Sequence, residues 1–358
     1  MKEKNILIID DSALMRRVLS DIIKSDKRFK VLGAAINGLD GLNMLQENVD
    51  KVDAVLLDIN MPLMNGIEML TEMKKQNIET RVIVVSAITT KDAKETILAL
   101  ELGAFDFITK PESLETLKSD EFSMQLLDCL AVATEFMPAQ ILSQTTSEKE
   151  EPPLKHTSKP VTKVGVKKLV TIACSTGGPK ALHTILPKIP KQLDAGVLIV
   201  QHMPEGFTKS LAERLNSLCQ IPVKEAEDNE VIQKGWVYIA KGGRQLRVVK
   251  DKEGNHRISL SLEAPRKGLL PCADVMFESL VNTDYDEITC VVLTGMGSDG
   301  SDGITTLSSK KRIHVIAQDS KTSVVYGMPK MIKKTGLVNE VVPLQEVSDA
   351  IIKNVGVY

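Results

Sequence analysis

Long apolar runs, paired cysteines and an excess of one charge sign are all missing from this chain. No apolar stretch approaches the roughly 20 residues that a membrane-spanning helix requires, so direct membrane insertion is not expected. The start, MKEKNILIIDDS, has strand character with two acids and no small-residue cleavage site, so the expected location is cytoplasmic. The five cysteines, Cys129, Cys174, Cys219, Cys272 and Cys290, are scattered without CxxC or other metal-ligand spacing. That argues against a disulfide frame or a structural zinc site and for buried apolar thiols in a reducing compartment. Forty-five basic residues face 47 acidic ones, a formal net charge of -2, with the two signs interspersed. Without a basic stripe there is no electrostatic case for a nucleic-acid or membrane-surface partner.

What is present is length and a repeated rhythm. At 358 residues the chain exceeds what one hydrophobic core usually supports, and two domains are expected. Short β-branched apolar runs alternate with amphipathic ones from Asn5 onward, the pattern of βα units around a parallel sheet. The strands expected are Asn5 to Ile9, Phe29 to Ala35, Ala54 to Leu57, Arg81 to Ser86 and Phe105 to Thr109. A tract rich in Ser, Thr, Glu, Lys and Pro, QTTSEKEEPPLKHTSKP, buries too little surface to order itself and reads as a flexible linker. The expected division is therefore a domain over 1–130, a linker over 131–165 and a second domain over 166–358. The second α/β alternation contains LVTIAC, GVLIVQH, ITCVVLT and IHVIA as buried strands, with PKALHTILPKI and TKSLAERLNSL as helices. Its middle, WVYIA followed by QLRVVKDKEGNHRISLSL, reads as an antiparallel β-hairpin appended to the parallel sheet. The fold class is thus α/β, two doubly wound parallel-sheet domains.

Polar residues just past strand ends carry information, because open parallel sheets bind ligands there. In the first domain Asp10 and Asp11 follow the first strand, Asp58 the third, Ser86 the fourth and Lys110 the fifth. Converging carboxylates repel unless a hard divalent cation lies among them, and magnesium fits that preference for oxygen. The lysine supplies a counter-charge for a phosphoryl group. A single aspartate here would be read as a helix N-cap, but a set in this order is specific. With DINMPLMNG after the third strand, residues 4–124 resemble response-regulator receiver domains of flavodoxin-like fold. That resemblance implies Asp58 as phosphoacceptor and Mg2+ held by Asp10, Asp11, Asp58 and the backbone carbonyl of Asn60. It further implies Ser86 and Lys110 as phosphoryl-binding groups, Phe107 as the aromatic switch position and a histidine kinase as phosphodonor.

In the second domain the strand LVTIAC runs into STGGP, placing Ser175 at a sharp strand-to-helix turn. Free N–H groups at the start of that helix suit a developing oxyanion, although a phosphate cradle or an ordinary N-cap would use the same turn. GVLIVQH delivers His202 to a neighbouring strand end, where a general base for Ser175 would stand. ITCVVLT leads into GMGSDG and places Asp299 past a third strand end, positioned to orient His202. CSTGGP, QHMPEGFT, LTGMGSDG and AQDSKTSVVYGMP, in this order, make residues 166–356 similar to the catalytic domain of the chemotaxis protein-glutamate methylesterases, a Rossmann-like fold. The resemblance implies hydrolysis of glutamyl methyl esters on cytoplasmic helices of chemoreceptors with release of methanol, and in many members deamidation of receptor glutamines. It implies Ser175 as nucleophile, His202 as base, Asp299 as orienter, the Met296 backbone N–H in the oxyanion hole and Thr176 in the active-site turn, with no cofactor for the esterase. Recruitment to receptor clusters and a monomeric state complete the expectation.

Two segments depart from the family, KGGRQ (Lys241 to Gln245) and APRKGLLPC (Ala264 to Cys272). Both lie outside the triad in sequence and are expected to alter substrate contacts. Cys174, ahead of the nucleophile, reads as a small buried hydrophobe. Three rival functions share some of these features. Gly295, Gly297 and Gly300 spell GxGxxG with Asp319 about twenty residues on, as in a dinucleotide-binding oxidoreductase. Asp299 would repel the pyrophosphate there, and the fingerprint explains neither Ser175 nor His202. A DNA-binding output would need a short basic helical domain. A non-catalytic receptor-binding regulator is made less apt by an intact triad.

Overall fold

The computed structural model describes residues 3–111, 119–135 and 167–358. The chain divides into two compact units, Met1–Leu142 and Ser143–Tyr358. The first contains β1 (Lys4–Ile9), α1 (Ala13–Ser25), β2 (Phe29–Ala35), α2 (Gly38–Glu47), β3 (Ala54–Asp58), α3 (Gly66–Lys75), β4 (Arg81–Ser86), α4 (Thr90–Leu102), β5 (Asp106–Thr109) and α5 (Asp120–Glu135). Its strands lie in the order β2-β1-β3-β4-β5, all parallel. The core strands read as continuous apolar runs because helices cover both faces of such a sheet. Strand order reverses between β1 and β3, which opens the crevice at their carboxyl ends. Helix starts follow side-chain caps: Ser12 accepts from the Met15 amide, and Asn65 and Glu68 form a reciprocal capping box on α3.

The linker expected over 131–165 lies outside the described residues from 136 onward. Residues 131–135 belong to α5, so the helical close of the first unit runs past Leu130.

The second unit contains β6 (Lys168–Cys174), α6 (Gly178–Ile185), β7 (Gly196–Gln201), α7 (Phe207–Asn216), β8 (Val223–Glu225), β9 (Val237–Ile239), β10 (Gln245–Lys250) and β11 (His256–Ser261). It continues with α8 (Ala273–Ser279), β12 (Glu287–Val292), α9 (Ser301–Ser308), β13 (Ile313–Gln318), α10 (Met328–Lys334), β14 (Glu340–Val342) and α11 (Val347–Val355). Seven strands form a parallel sheet in the order β14-β13-β12-β6-β7-β9-β8. From β6 the chain builds outward through β7, then returns to build the other half from β12, so β6 and β12 flank the topological switch point.

WVYIA differs from the expectation. Its residues Val237–Ile239 are β9, a buried member of the parallel sheet beside β7, and only β10 and β11 form the antiparallel hairpin. Alternation identified strands but could not say which neighbour each would pair with. The three-residue strands β8 and β14 were not anticipated, being too short to show a period.

Candidate active site and phosphoacceptor site

At the first crevice Asp10 and Asp58 are buried and Asp11 is exposed, and carboxylate oxygens from all three lie within 4.8 Å of one another. The Lys110 Nζ stands 2.9 Å from Asp10 Oδ2 and 2.8 Å from Asp58 Oδ2. Burial pushes the Asp58 carboxyl up, against the pull of Lys110. Burial alone would lower the Lys110 ammonium, but Asp58 and Asp10 outweigh it and hold it above its ordinary value. Three carboxylates against one ammonium leave net negative charge in a set of hard oxygen donors, which suits Mg2+. Asn60 donates its side-chain amide to Asp92 Oδ1 at 2.6 Å, while its backbone carbonyl accepts no hydrogen bond among the described residues. Ser86, buried at the end of β4, accepts from Thr96 Oγ1 at 2.8 Å. Phe107 lies half-buried in β5, in register with Val84.

At the second crevice Ser175 follows β6, His202 follows β7, and Asp299 lies beyond β12, buried ahead of α9. The His202 Nε2 and Asp299 Oδ2 are 2.7 Å apart. That pairing leaves Nδ1 as the imidazole nitrogen available to accept a proton. Ser175 Oγ makes no hydrogen bond among the described residues. Its turn is fixed through the backbone: Ser175 N donates to Thr294 O at 3.1 Å and Gly178 N to Ser175 O at 2.7 Å. Gly177 takes the turn at φ 79°, and Pro179 occupies the first turn of α6, where its missing N–H costs nothing.

Asp299 is held by more than His202. Its carboxylate accepts from Ala273 N at 2.6 Å, Asp274 N at 2.9 Å, Gly300 N at 3.0 Å and the Cys272 thiol at 3.1 Å. Burial alone would raise its pKa, but His202 and these amides outweigh burial and hold it well below the carboxylate range. Asp274 returns the arrangement: its Oδ1 accepts from Gly300 N at 2.9 Å and Gly303 N at 2.7 Å, at the head of α9. Burial raises Asp274 and the Gly303 amide opposes it. Cys272, Asp274 and Asp299 also bring ligand-type atoms within 4.8 Å of one another, but their oxygens are already committed to these amide donors.

The two departing segments, expected from sequence to alter substrate contacts, reach Asp299. APRKGLLPC ends at Cys272, whose thiol rests on Asp299, and Gln245 of KGGRQ accepts the Cys272 amide at 2.8 Å. Sequence reasoning also missed Gln201, Thr294 and Gln318. Buried Gln201 donates to Ser175 O at 3.1 Å and His202 O at 3.2 Å, tying the Ser175 turn to His202, and accepts from the Cys174 thiol at 3.1 Å. Thr294 donates to Thr176 O at 3.0 Å, and Gln318 accepts from Thr294 N at 2.8 Å. A signal existed: each is a buried polar residue closing or following an apolar strand at the same sheet end. Burial pushes the Cys174 thiol far up, consistent with an inert side chain. Cys174, Cys272 and Cys290 are buried, whereas Cys129 and Cys219 are only half-buried, and all five are free thiols.

Met296 presents its backbone N–H without a hydrogen-bond partner among the described residues. Its neighbour Gly295 packs on Ser175, since a Cβ there would fall 2.8 Å from Ser175 Cβ. The dinucleotide reading fails on the same geometry. Gly295 abuts Ser175, the Gly300 and Gly303 amides at the head of α9 are taken by Asp274, and Asp319 accepts from Thr322 N at 2.9 Å.

A sequence model described as CheB methylesterase matches residues 170–351, and one described as response regulator receiver domain matches residues 6–120. The chain is 41% identical to the protein-glutamate methylesterase/protein-glutamine glutaminase 1 of Syntrophomonas wolfei, over 98% of this chain and 99% of that protein. It is 40% identical to the protein-glutamate methylesterase/protein-glutamine glutaminase of Bacillus subtilis, over 97% of each. The crystal structure of the Thermotoga maritima CheB methylesterase catalytic domain aligns with a TM-score of 0.50 at 38% identity, covering 52% of this chain and 98% of that one.

Proposed function

The chain belongs to the CheB methylesterase family, joined to a receiver domain, and from that premise we propose that it is a phosphorylation-regulated protein-glutamate methylesterase that works by a Ser-His-Asp mechanism. The observation that carries the reading is the 2.7 Å pair of His202 Nε2 and Asp299 Oδ2 at the sheet end that also bears Ser175. Asp299 keeps the Nε2 proton on the imidazole and steadies the imidazolium, so Nδ1 serves as base. Ser175 Oγ attacks the glutamyl ester carbonyl as its proton passes to His202. The oxyanion forms against preorganised donors, the Met296 N–H among them. Collapse expels methoxide, which takes the proton from His202 and leaves as methanol, while the glutamyl group remains esterified to Ser175. Water, deprotonated by His202, then attacks that ester, and the proton returns to Ser175 as the γ-carboxylate departs. A side-chain amide would follow the same course with ammonia as leaving group, which would make receptor glutamines a second substrate. Thr176 acts as part of the turn that holds Ser175.

In the first unit Asp58 is the phosphoacceptor, with a chemotaxis histidine kinase as donor. Asp10, Asp11, Asp58 and the Asn60 carbonyl would hold Mg2+, whose charge neutralises phosphoryl oxygens when bound. Lys110 adds a cation beside Asp58, Ser86 binds a phosphoryl oxygen, and Phe107 repacks in response. Substrate glutamates lie on cytoplasmic helices of chemoreceptors, so the protein works in the cytoplasm at receptor clusters. Hydrolysis in ¹⁸O-labelled water tests for attack at the acyl carbon, which puts one label in the product carboxylate and none in methanol. Label in methanol would refute it.

A further inference from the structure

We infer that the turn Lys241–Gln245 is an anion-recognition element of the catalytic crevice, in which Arg244 binds a carboxylate on the substrate next to the scissile ester. The inference rests on the esterase reading and names what that site selects. The turn follows β9, which pairs in parallel with β7, so it emerges at the same sheet end as Ser175 and His202. It is fixed on both sides of the triad. On one side Gly242 N donates to Thr208 Oγ1 at 3.0 Å, and a Cβ at Gly242 would lie 2.3 Å from Pro204 O, two residues beyond His202. On the other, Gln245 accepts the amide of Cys272, whose thiol touches Asp299. Arg244 sits between these anchors, half-buried.

Its charge is not matched among the described residues. Arg247 pairs with Glu263, Arg257 with Asp251, Arg266 with Glu278 and Arg312 with Glu287. Arg244 has no ion pair and no side-chain hydrogen bond among the described residues, nor has Lys241 in the same turn. The Glu205 carboxylate packs against Gly243, where a Cβ would lie 3.3 Å from Oε2, yet it forms no ion pair with Arg244. Arg244 presents a planar fork of donors matched to a carboxylate. The methyl ester itself is neutral, but on a helix its neighbours three and four residues away share its face. An acidic side chain at such a position supplies the missing anion.

The test uses the full-length protein, treated with a small phosphodonor and magnesium, on soluble receptor cytoplasmic fragments methylated at one glutamate. One fragment keeps acidic residues flanking the ester and the other carries alanine in their place. Wild type should release methanol from the acidic fragment with kcat/KM about tenfold higher, as expected of a charged hydrogen bond. Arg244→Gln should lose that preference, its kcat/KM on the two fragments becoming equal, and Arg244→Lys should restore part of it. Equal rates of wild type on both fragments, or a preference undiminished in Arg244→Gln, would overturn the inference alone. No methanol from either fragment with wild type would overturn the esterase reading and the inference with it.

Discussion

At the scale of single residues the site turns on Asp299, a buried carboxylate that five groups approach as donors: His202, the thiol of Cys272 and the amides of Ala273, Asp274 and Gly300. Its pKa is depressed, so the sign of its effect on stability is fixed. The contribution is fully present above about pH 4, where an unfolded carboxylate is ionised, and is lost as the pH falls through the lower folded value. Asp274, raised by burial, acts in the opposite sense. Urea midpoints between pH 3 and 6 should fall with acidity in the wild type and change less in Asp299→Asn; parallel curves would mean that Asp299 is not depressed. Asp299→Asn should also cost on the order of 10⁴ in kcat, because an amide cannot hold the imidazole tautomer in the same way. Cys272→Ala removes one donor of the five and should lower kcat only a few-fold, with Cys272→Ser restoring it. A loss as large as that of Asp299→Asn would mean that the thiol does more than orient the carboxylate.

Elements place these residues, and here the sequence was legible in part. Ser175, His202 and Asp299 stood out because each follows an apolar run that could only be a buried strand, and parallel strands aim their ends at one crevice. Asp10, Asp58 and Lys110 stood out for the same reason. What could not be read was pairing across long sequence separations. Nothing in PCADVMF announces that the head of α8 docks on Asp299 while Asp274 caps α9 in return, since those bonds join residues 25 to 29 positions apart. WVYIA carried a strand signal but not its partner, and Gln201 looked like an ordinary strand end. A further prediction belongs to this scale. A Cβ at Gly178 would fall 2.0 Å from Gln201 Oε1, so Gly178→Ala must displace the side chain that ties Ser175 to His202. Overpacking of this kind costs about 1–3 kcal/mol, seen as a lower denaturation midpoint together with reduced turnover. Wild-type activity in a folded Gly178→Ala protein would show that the tie is dispensable.

The whole molecule joins a receiver domain to a CheB methylesterase domain. A small phosphodonor with magnesium should place acid-labile phosphate on Asp58, and Asp58→Asn should abolish it; undiminished labelling would reassign the acceptor. Phosphorylation adds up to about one further negative charge at Asp58. A tenfold activation then requires only about 1.4 kcal/mol of differential stability between a restrained and an open state. A fragment beginning at Lys163, without the first unit, should be more active than the unphosphorylated full chain if that unit restrains the esterase. A folded fragment that is no faster would mean stimulation or targeting instead. The most direct measurement of the central claim is methanol release from methylated receptor membranes by wild type and Ser175→Ala, each with and without phosphodonor. Wild type should release methanol, faster when phosphorylated, and Ser175→Ala should lose on the order of 10⁴ to 10⁶ in rate under both conditions. More than about a tenth of wild-type turnover in Ser175→Ala would contradict the account.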